Sequence, residues 1–198
     1  NITTVVRSGF VAEEVVRLAE EEEADFIVMG TTGAGKVKGL LLGSTASHVL
    51  KKSKVPVLIV PENATYADIS KVVFATDMVH TDLDCLEDLV RFTKVFGAEL
   101  EVVHVMPPGT DLSVKKLEAF SKIFSEANGH KKTEVKLFES HDRNIVTAIQ
   151  QFLMVESADA VAMLTRDRGF FDALLHQSLT RKMAHTTQMP LLALHIES

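Results

Sequence analysis

The chain lacks several features that mark specialised classes of protein. Its 198 residues include a single cysteine, Cys85, which excludes an internal disulfide framework. Cys85 stands among acidic neighbours in a helical pattern, so we expect a small buried apolar residue there. No apolar run approaches the roughly 20 residues that a membrane-spanning helix needs, and no charged stretch followed by an apolar one opens the chain. We therefore expect a soluble, cytoplasmic protein without membrane contact.

Basic residues are also outnumbered. The chain has 21 Lys and Arg against 27 Asp and Glu, a net charge of -6, and no clustered basic face. Proteins that track the phosphates of DNA or RNA carry such a face, so we expect no nucleic-acid partner. With 46% hydrophobic and 24% charged residues, the chain has the composition of a globular protein with one large or two small cores.

The most informative feature that is present is a set of glycines after the apolar run at 26–29. Gly30, Gly33, Gly43 and Ser44 stand in the spacing Gly, two residues, Gly, nine residues, Gly-Ser. Glycine lets backbone N–H groups approach a phosphate without a Cβ in the way. A Gly-Ser pair that opens a helix adds a hydroxyl and unpaired amides at the positive end of the helix dipole. The spacing predicts a site for a phosphate-sized anion.

Two other interpretations of these glycines compete with this one. Residues 30–36 fit the first seven positions of the Walker P-loop pattern, but Val37 stands where the pattern needs a hydroxyl for Mg²⁺. The glycines could also merely turn the chain. The surrounding pattern, with a strand before, a helix from Ser44 and an apolar strand at 55–60, favours a nucleotide-binding α/β unit.

These residues resemble the universal stress protein family. Its ATP-binding members carry G-2x-G-9x-G-[ST] after their fourth strand and end on a strand of the type Val55-Pro56-Val57-Leu58. The resemblance implies an α/β fold with an open, doubly wound, Rossmann-like parallel sheet in the strand order 3-2-1-4-5. It also implies an ATP site, with or without Mg²⁺. The residues that it assigns to this site are Gly30, Thr31, Gly33, Gly43, Ser44 and Thr45.

The chain also contains an internal repeat. Shifting it on itself by 134 residues, without gaps, aligns Ala24-Asp25 with Ala158-Asp159, Met29 with Met163, Ser44 with Ser178 and Pro56 with Pro190. The second copy has a complete alternation of apolar strands and amphipathic helices, which requires a parallel sheet covered on both faces. We predict strands at 71–75, 99–105, 134–138, 160–164 and 191–194, and helices at 82–96, 113–128, 144–155 and 174–184.

The repeat and the resemblance together suggest how the chain is divided. We expect residues 1–62 to be the C-terminal half of a first universal stress protein domain, 63–68 a linker, and 69–198 a complete second domain. Residues 2–7 would then be a third strand without a first or second strand beside it. We expect the missing half to precede residue 1 or to come from another chain, in a homodimer for example, and the last strand of each copy, 55–60 and 190–194, to pair with the other.

The second copy keeps only part of a nucleotide site. The family holds adenine with an Asp at the end of its first strand, and Asp77 matches that position. Across the 134-residue shift, Leu164, Asp167 and Gln177 replace the three glycines and only Ser178 is kept. A carboxylate and bulky side chains would oppose a phosphate there, so we predict a vestigial site that does not bind ATP in the family's manner.

Asp77 and Gly30 belong to different copies and are not expected to share a pocket, so ATP should bind this chain weakly.

The remaining polar residues leave two other functions open. His80, His104 and His141 are predicted near the ends of three strands, where a metal or small-ligand site would fit, although scattered histidines without metal-ligand spacing are more often structural. No nucleophile and base are assembled, so no catalytic residue is assigned and any ATP hydrolysis would be slow. The alternative to a nucleotide-binding stress-response protein is a tandem scaffold that acts through dimerisation and protein partners.

Overall fold

The computed structural model describes residues 2–31, 42–64, 68–78, 83–112, 114–129, 135–166 and 179–196. Helices and strands alternate along the chain. The helices are α1 (Val11–Glu21), α2 (Ser44–Lys52), α3 (Leu83–Phe96), α4 (Val114–Ala127), α5 (Ile145–Val155) and α6 (Leu179–Thr186). The strands are β1 (Ile27–Gly30), β2 (Val57–Val60), β3 (Lys71–Ala75), β4 (Glu99–Met106), β5 (Val135–Glu139), β6 (Ala160–Arg166) and β7 (Leu191–Ile196).

The strands form one seven-stranded sheet in the order β1-β2-β7-β6-β3-β4-β5. Within the C-terminal segment, residues 69–198, the order from β5 to β7 is third, second, first, fourth and fifth strand. The predicted order 3-2-1-4-5 and the doubly wound α/β fold are therefore confirmed. The predicted elements between residues 71 and 164 agree with the structure to within two residues.

One pair of strands joins the N-terminal segment, residues 1–62, to the C-terminal one. β2 and β7 are antiparallel, with Leu58 opposite Leu192, whereas every other neighbouring pair is parallel. The predicted pairing of the two last strands is confirmed. As a consequence, β1 and β2 run opposite to the other five strands. We call the side of the sheet on which β3 to β7 end the upper rim, and the side on which β1 and β2 end the lower rim.

The internal repeat is also visible in the structure. A shift of 134 residues carries α1, β1, α2 and β2 onto α5, β6, α6 and β7. Backbone hydrogen bonds repeat as well: Ile27 N–H donates to Pro56 O at 2.9 Å, and Val161 N–H donates to Pro190 O at 3.0 Å. The described elements thus share one local architecture, although their sequences have diverged.

Two apolar clusters cover the two faces of the sheet. Helices α1, α2, α5 and α6 pack on one face, and α3 and α4 pack on the other. Successive residues of β2 point to opposite faces, so Ile59 joins the first cluster and Leu58 joins the second. Cys85 of α3 is 4% exposed and belongs to the second cluster, as predicted. Both segments therefore contribute to the same two cores.

The strand predicted at residues 2–7 is wrong. These residues form neither helix nor strand, and Ile2 and Val6 are 98% and 91% exposed. A strand gains stability only when its backbone hydrogen-bonds to a neighbouring strand, and the described sheet ends at β1. Arg7 instead pairs with Glu21 and holds the segment against α1. The strand was expected from the family's strand order, and that order does not produce a strand here without its neighbours.

Candidate functional site

The predicted phosphate site lies at the lower rim of the sheet, beside the end of β1 and the start of α2. The Thr31 N–H donates to Val60 O at 3.1 Å and so extends the pairing of β1 with β2 by one residue. Thr31 O accepts a hydrogen bond from the Gly43 N–H at 2.5 Å. This bond brings the end of β1 next to the start of α2. Thr31 itself is buried, with 5% of its surface exposed.

Helix α2 begins at a glycine N-cap. Gly43 is its N-cap, with φ -67° and ψ 159°, and as a glycine it has no side chain that could cap the helix. The first helical hydrogen bond runs from Ser47 N–H to Gly43 O at 2.9 Å. The amides of Ser44, Thr45 and Ala46 therefore precede the first intrahelical bond, as in any helix. These three donors and the helix dipole favour an anion at this end.

The rest of α2 is fixed by burial. Ala46, Val49 and Leu50 are each at most 2% exposed and pack in the cluster that α1 also joins. Lys51 and Lys52 stand in the last turn, where positive charge complements the helix dipole. The helix therefore presents its N-terminus from a rigid position, and Ser44 at that end is exposed.

The other predicted residues are spread over the molecule. Gly30 ends β1, and Leu164 takes the equivalent place in β6. Asp77 follows β3 by two residues at the upper rim and is exposed. Gly33, Asp167, Gln177 and Ser178 lie outside the described residues, as do Lys36 and Val37 of the P-loop alternative.

The structure separates Gly30 from Asp77. Gly30 lies at the lower rim and Asp77 at the upper rim, because β1 runs opposite to β3. Three strands also stand between β1 and β3, and four interstrand steps span about 19 Å. The two residues do not share a pocket, as predicted.

One hydrogen bond in the C-terminal segment was missed by sequence reasoning. The Thr180 hydroxyl donates to Leu164 O at 2.7 Å and ties the end of β6 to α6. Thr180 is 2% exposed and aligns across the repeat with Ala46, which has no hydroxyl. The strand end is therefore held by a side chain in this segment and by the Gly43 backbone in the other. The signal available in the sequence was a threonine at the seventh position of the helix predicted at 174–184.

Of the three histidines predicted at the upper rim, the structure describes two. His104 Nδ1 lies 2.8 Å from Thr76 O, so this nitrogen must donate. His141 is exposed, and His80 falls outside the described residues. Within the described ranges, no three His, Cys, Asp or Glu side chains are grouped as metal ligands.

A charged network lies at the lower rim of the C-terminal segment. Lys136 Nζ is 2.9 Å from both Glu101 and Glu156, and Lys71 approaches the same two carboxylates at 3.6 and 3.7 Å. The hydrogen bonds from Glu156 and Glu101 raise the pKa of Lys136. The bond with Lys136 is the main cause that lowers the pKa of Glu156. These contacts link β3, β4 and β5. Because two lysines face two glutamates, the network offers no net charge to a ligand.

Comparison with known proteins decides the family. The model of the universal stress protein family matches residues 1–61 and 69–195. The chain belongs to the universal stress protein family.

It is similar to a universal stress protein of Methanocaldococcus jannaschii, with 48% identity over 59 residues, which are 30% of this chain and 35% of that protein. It is also similar to one of Mycobacterium tuberculosis, with 44% identity over 52 residues, 26% of this chain and 36% of that protein. The matched region thus spans about a third of the length of these curated relatives.

Solved structures of universal stress proteins share the fold. One from Archaeoglobus fulgidus has a TM-score of 0.66 and 23% identity, and the match covers 93% of this chain and 64% of that one. A putative universal stress protein from Pseudomonas aeruginosa has a TM-score of 0.64 and 16% identity, covering 96% and 69%. A universal stress protein solved in complex with cAMP has a TM-score of 0.53 and 16% identity, covering 66% and 100%. Among the described helices, none is long and apolar enough to cross a membrane.

Proposed function

We propose that this universal stress protein binds ATP, with or without Mg²⁺, through the glycine loop of its N-terminal segment. The phosphates would be held by Gly30, Thr31, Gly33, Gly43, Ser44 and Thr45. The observation that carries the proposal is the glycine-capped N-terminus of α2, which the Gly43–Thr31 hydrogen bond keeps beside the end of β1. Family membership supports a role in the stress response, which we place in the cytoplasm as part of the proposal.

The chemistry of this junction suits phosphate better than a neutral ligand. Three amides and the positive end of the α2 dipole converge there, and Gly43 has no side chain to intrude. Ser44 adds an exposed hydroxyl that can donate to a phosphate oxygen. The cAMP complex of a protein with the same fold supports an adenine nucleotide as the ligand class.

The adenine end of this site requires residues beyond those near Gly30. Asp77 lies at the other rim of the sheet and cannot contribute. We propose that a second copy or further polypeptide supplies the base contacts, so that this chain alone binds ATP weakly. In the C-terminal segment, Leu164 replaces the first glycine, and we propose that this segment does not bind ATP.

Calorimetric titration of ATP into the full chain tests the proposal with a matched pair of variants. Asp and Asn are nearly isosteric and cap helices equally well, and the φ and ψ of Gly43 suit both. We expect Gly43→Asp to weaken ATP binding at least about tenfold through repulsion of phosphate by the carboxylate. Gly43→Asn should weaken it less. Equal affinities for the wild-type protein and Gly43→Asp would refute the proposal.

A second function, a scaffold that acts through dimerisation and protein partners, is favoured by exposed apolar residues in the N-terminal segment. Ile2, Val6 and Phe10 are 98%, 91% and 81% exposed, and Val28 of the edge strand β1 is 63% exposed. An apolar edge strand favours pairing with another chain. Sedimentation velocity of the wild-type protein and Val28→Lys tests this function. A dimer that the substitution dissociates supports it, and a wild-type monomer at all concentrations contradicts it.

A further inference from the structure

His195 of β7 contacts both segments of the chain. Its ring Nε2 lies 2.9 Å from Leu50 O in α2. Its own carbonyl oxygen accepts a hydrogen bond from Cys85 Sγ at 2.8 Å in α3. The ring is half-buried. A residue of the C-terminal segment thus touches the helix whose other end forms the candidate phosphate site.

The ring contact occupies a defined position on α2. Leu50 lies in the last turn, where helix carbonyls have no intrahelical donor. Val49 O accepts from Ser53 N–H at 2.9 Å, and Leu50 O accepts from His195. Since a carbonyl only accepts, His195 Nε2 carries the proton. A donor at this negative end of the helix is favourable.

We infer that His195 is a positioning residue for the phosphate-binding helix α2, an inference that rests on the proposed function. The helix has nine residues and is about 13 Å long, so its two ends move together as one rigid body. His195 fixes one end, and the amides of Ser44, Thr45 and Ala46 project from the other. A hydrogen bond to phosphate weakens steeply with small errors in distance and angle, so a tilt of α2 lowers affinity.

Loss of His195 should shift α2 without unfolding it. Ala46, Val49 and Leu50 remain buried against α1 and the sheet. The C-terminal segment, which lacks the glycine loop, therefore contributes to nucleotide binding through the ring of His195. This gives that segment a function in the site without a ligand of its own.

Titration of ATP into full-length variants tests the positioning role. His195→Ala should raise the Kd for ATP about three- to tenfold, the typical effect of one lost hydrogen bond that aligns a binding element. His195→Gln should keep an affinity near that of the wild-type protein, because its amide N–H can reach the place of Nε2. The matched control is His104→Ala, which removes a similar ring–carbonyl bond of 2.8 Å, to Thr76 O, at the upper rim. This control should leave the Kd unchanged.

Comparing the Kd values of folded variants separates an effect on the position of α2 from an effect on the stability of the fold. A variant that is still almost wholly folded has the Kd of the wild-type protein unless the site itself has changed. Titrations are therefore made at a temperature where circular dichroism shows each variant folded. If His195→Ala unfolds, His195→Asn, whose amide cannot reach the place of Nε2, replaces it in the comparison with His195→Gln.

Three results would overturn the inference, and they can be distinguished from one another. Wild-type protein that binds no ATP overturns the proposed function and the positioning role with it. Wild-type binding that His195→Ala, or His195→Asn in its place, leaves unchanged overturns the positioning role alone. An equal loss in His104→Ala would also contradict it.

Discussion

Leu58 of β2 lies directly opposite Leu192 of β7 in the antiparallel pair that joins the two segments. Both side chains are buried in the cluster beneath α3. Phe26 and Phe92 add an edge-to-face contact at 5.6 Å between the same segments, and Arg91 pairs with Asp25 at 3.0 Å. The described parts of the two segments are therefore joined through a shared apolar core.

This junction predicts cooperative unfolding. We expect Leu58→Ala to lower the free energy of unfolding by about 2–5 kcal/mol, because it leaves a cavity in a shared core. The control Val28→Ala removes an exposed side chain of β1 and should change it by less than about 0.5 kcal/mol. Urea unfolding followed by circular dichroism measures both. Separate unfolding transitions for the two segments would contradict a shared core.

Because Gly30 and Asp77 lie far apart, we predict that ATP binding at the glycine loop does not depend on Asp77. We expect Asp77→Asn to change the Kd for ATP by less than about twofold, because the two residues lie at opposite rims of the sheet. Calorimetric titration, with Gly43→Asp as the positive control, measures the effect. A loss of affinity in Asp77→Asn comparable to that of Gly43→Asp would show that one pocket contains both positions.

The network around Lys136 predicts a pH dependence of stability. The pKa of Glu156 is lowered in the folded state, mainly by the hydrogen bond with Lys136. Its stabilising contribution is therefore complete above the unfolded carboxyl pKa of about 4.3 and is lost as the pH falls through the lower folded pKa. The pKa of Lys136 is raised, so its contribution is lost only as the pH rises through that higher value.

The loss of stability at low pH is measured by the midpoints of urea unfolding at roughly pH 2.5 to 7, a range chosen to include the carboxyl pKa values. We expect the midpoint to fall less steeply with acid in Glu156→Gln than in the wild-type protein. Glu99→Gln, which removes an exposed carboxylate at the start of β4, is the control and should keep the wild-type slope. Identical slopes in all three proteins would contradict the role of the network.

Much of the fold could be predicted because its signals are local. The continuous apolar run of 72–75 and the amphipathic pattern of 144–155 each specify one element, and the repeat indicates the order of elements in both copies. The pairing of β2 with β7 was implied by the family resemblance, and two apolar last strands that each need a partner agree with it. The strand at 2–7 was mispredicted because it was placed by the family's strand order, although the strands that would have to pair with it were not found in the chain.

The contacts that shape the site were not predictable in the same way. The bond from Thr180 to Leu164 spans 16 residues, and that from His195 to Leu50 spans 145. Such bonds depend on how helices pack on the sheet, which neither composition nor periodicity encodes. The glycine spacing located the start of α2, whereas the packing at its other end required the structure.

Amide chemical shifts during an ATP titration test the central claim most directly. In ¹H–¹⁵N correlation spectra of the full chain, we expect the amides of Ser44, Thr45 and Ala46 to shift progressively with ATP. The chemical shifts of two amides in the C-terminal segment should not change. They are the amide of Thr180 in α6, the helix equivalent to α2, and the amide of Met78 at the upper rim. Shifts confined to Thr180 and Met78, with none at the start of α2, would contradict the account.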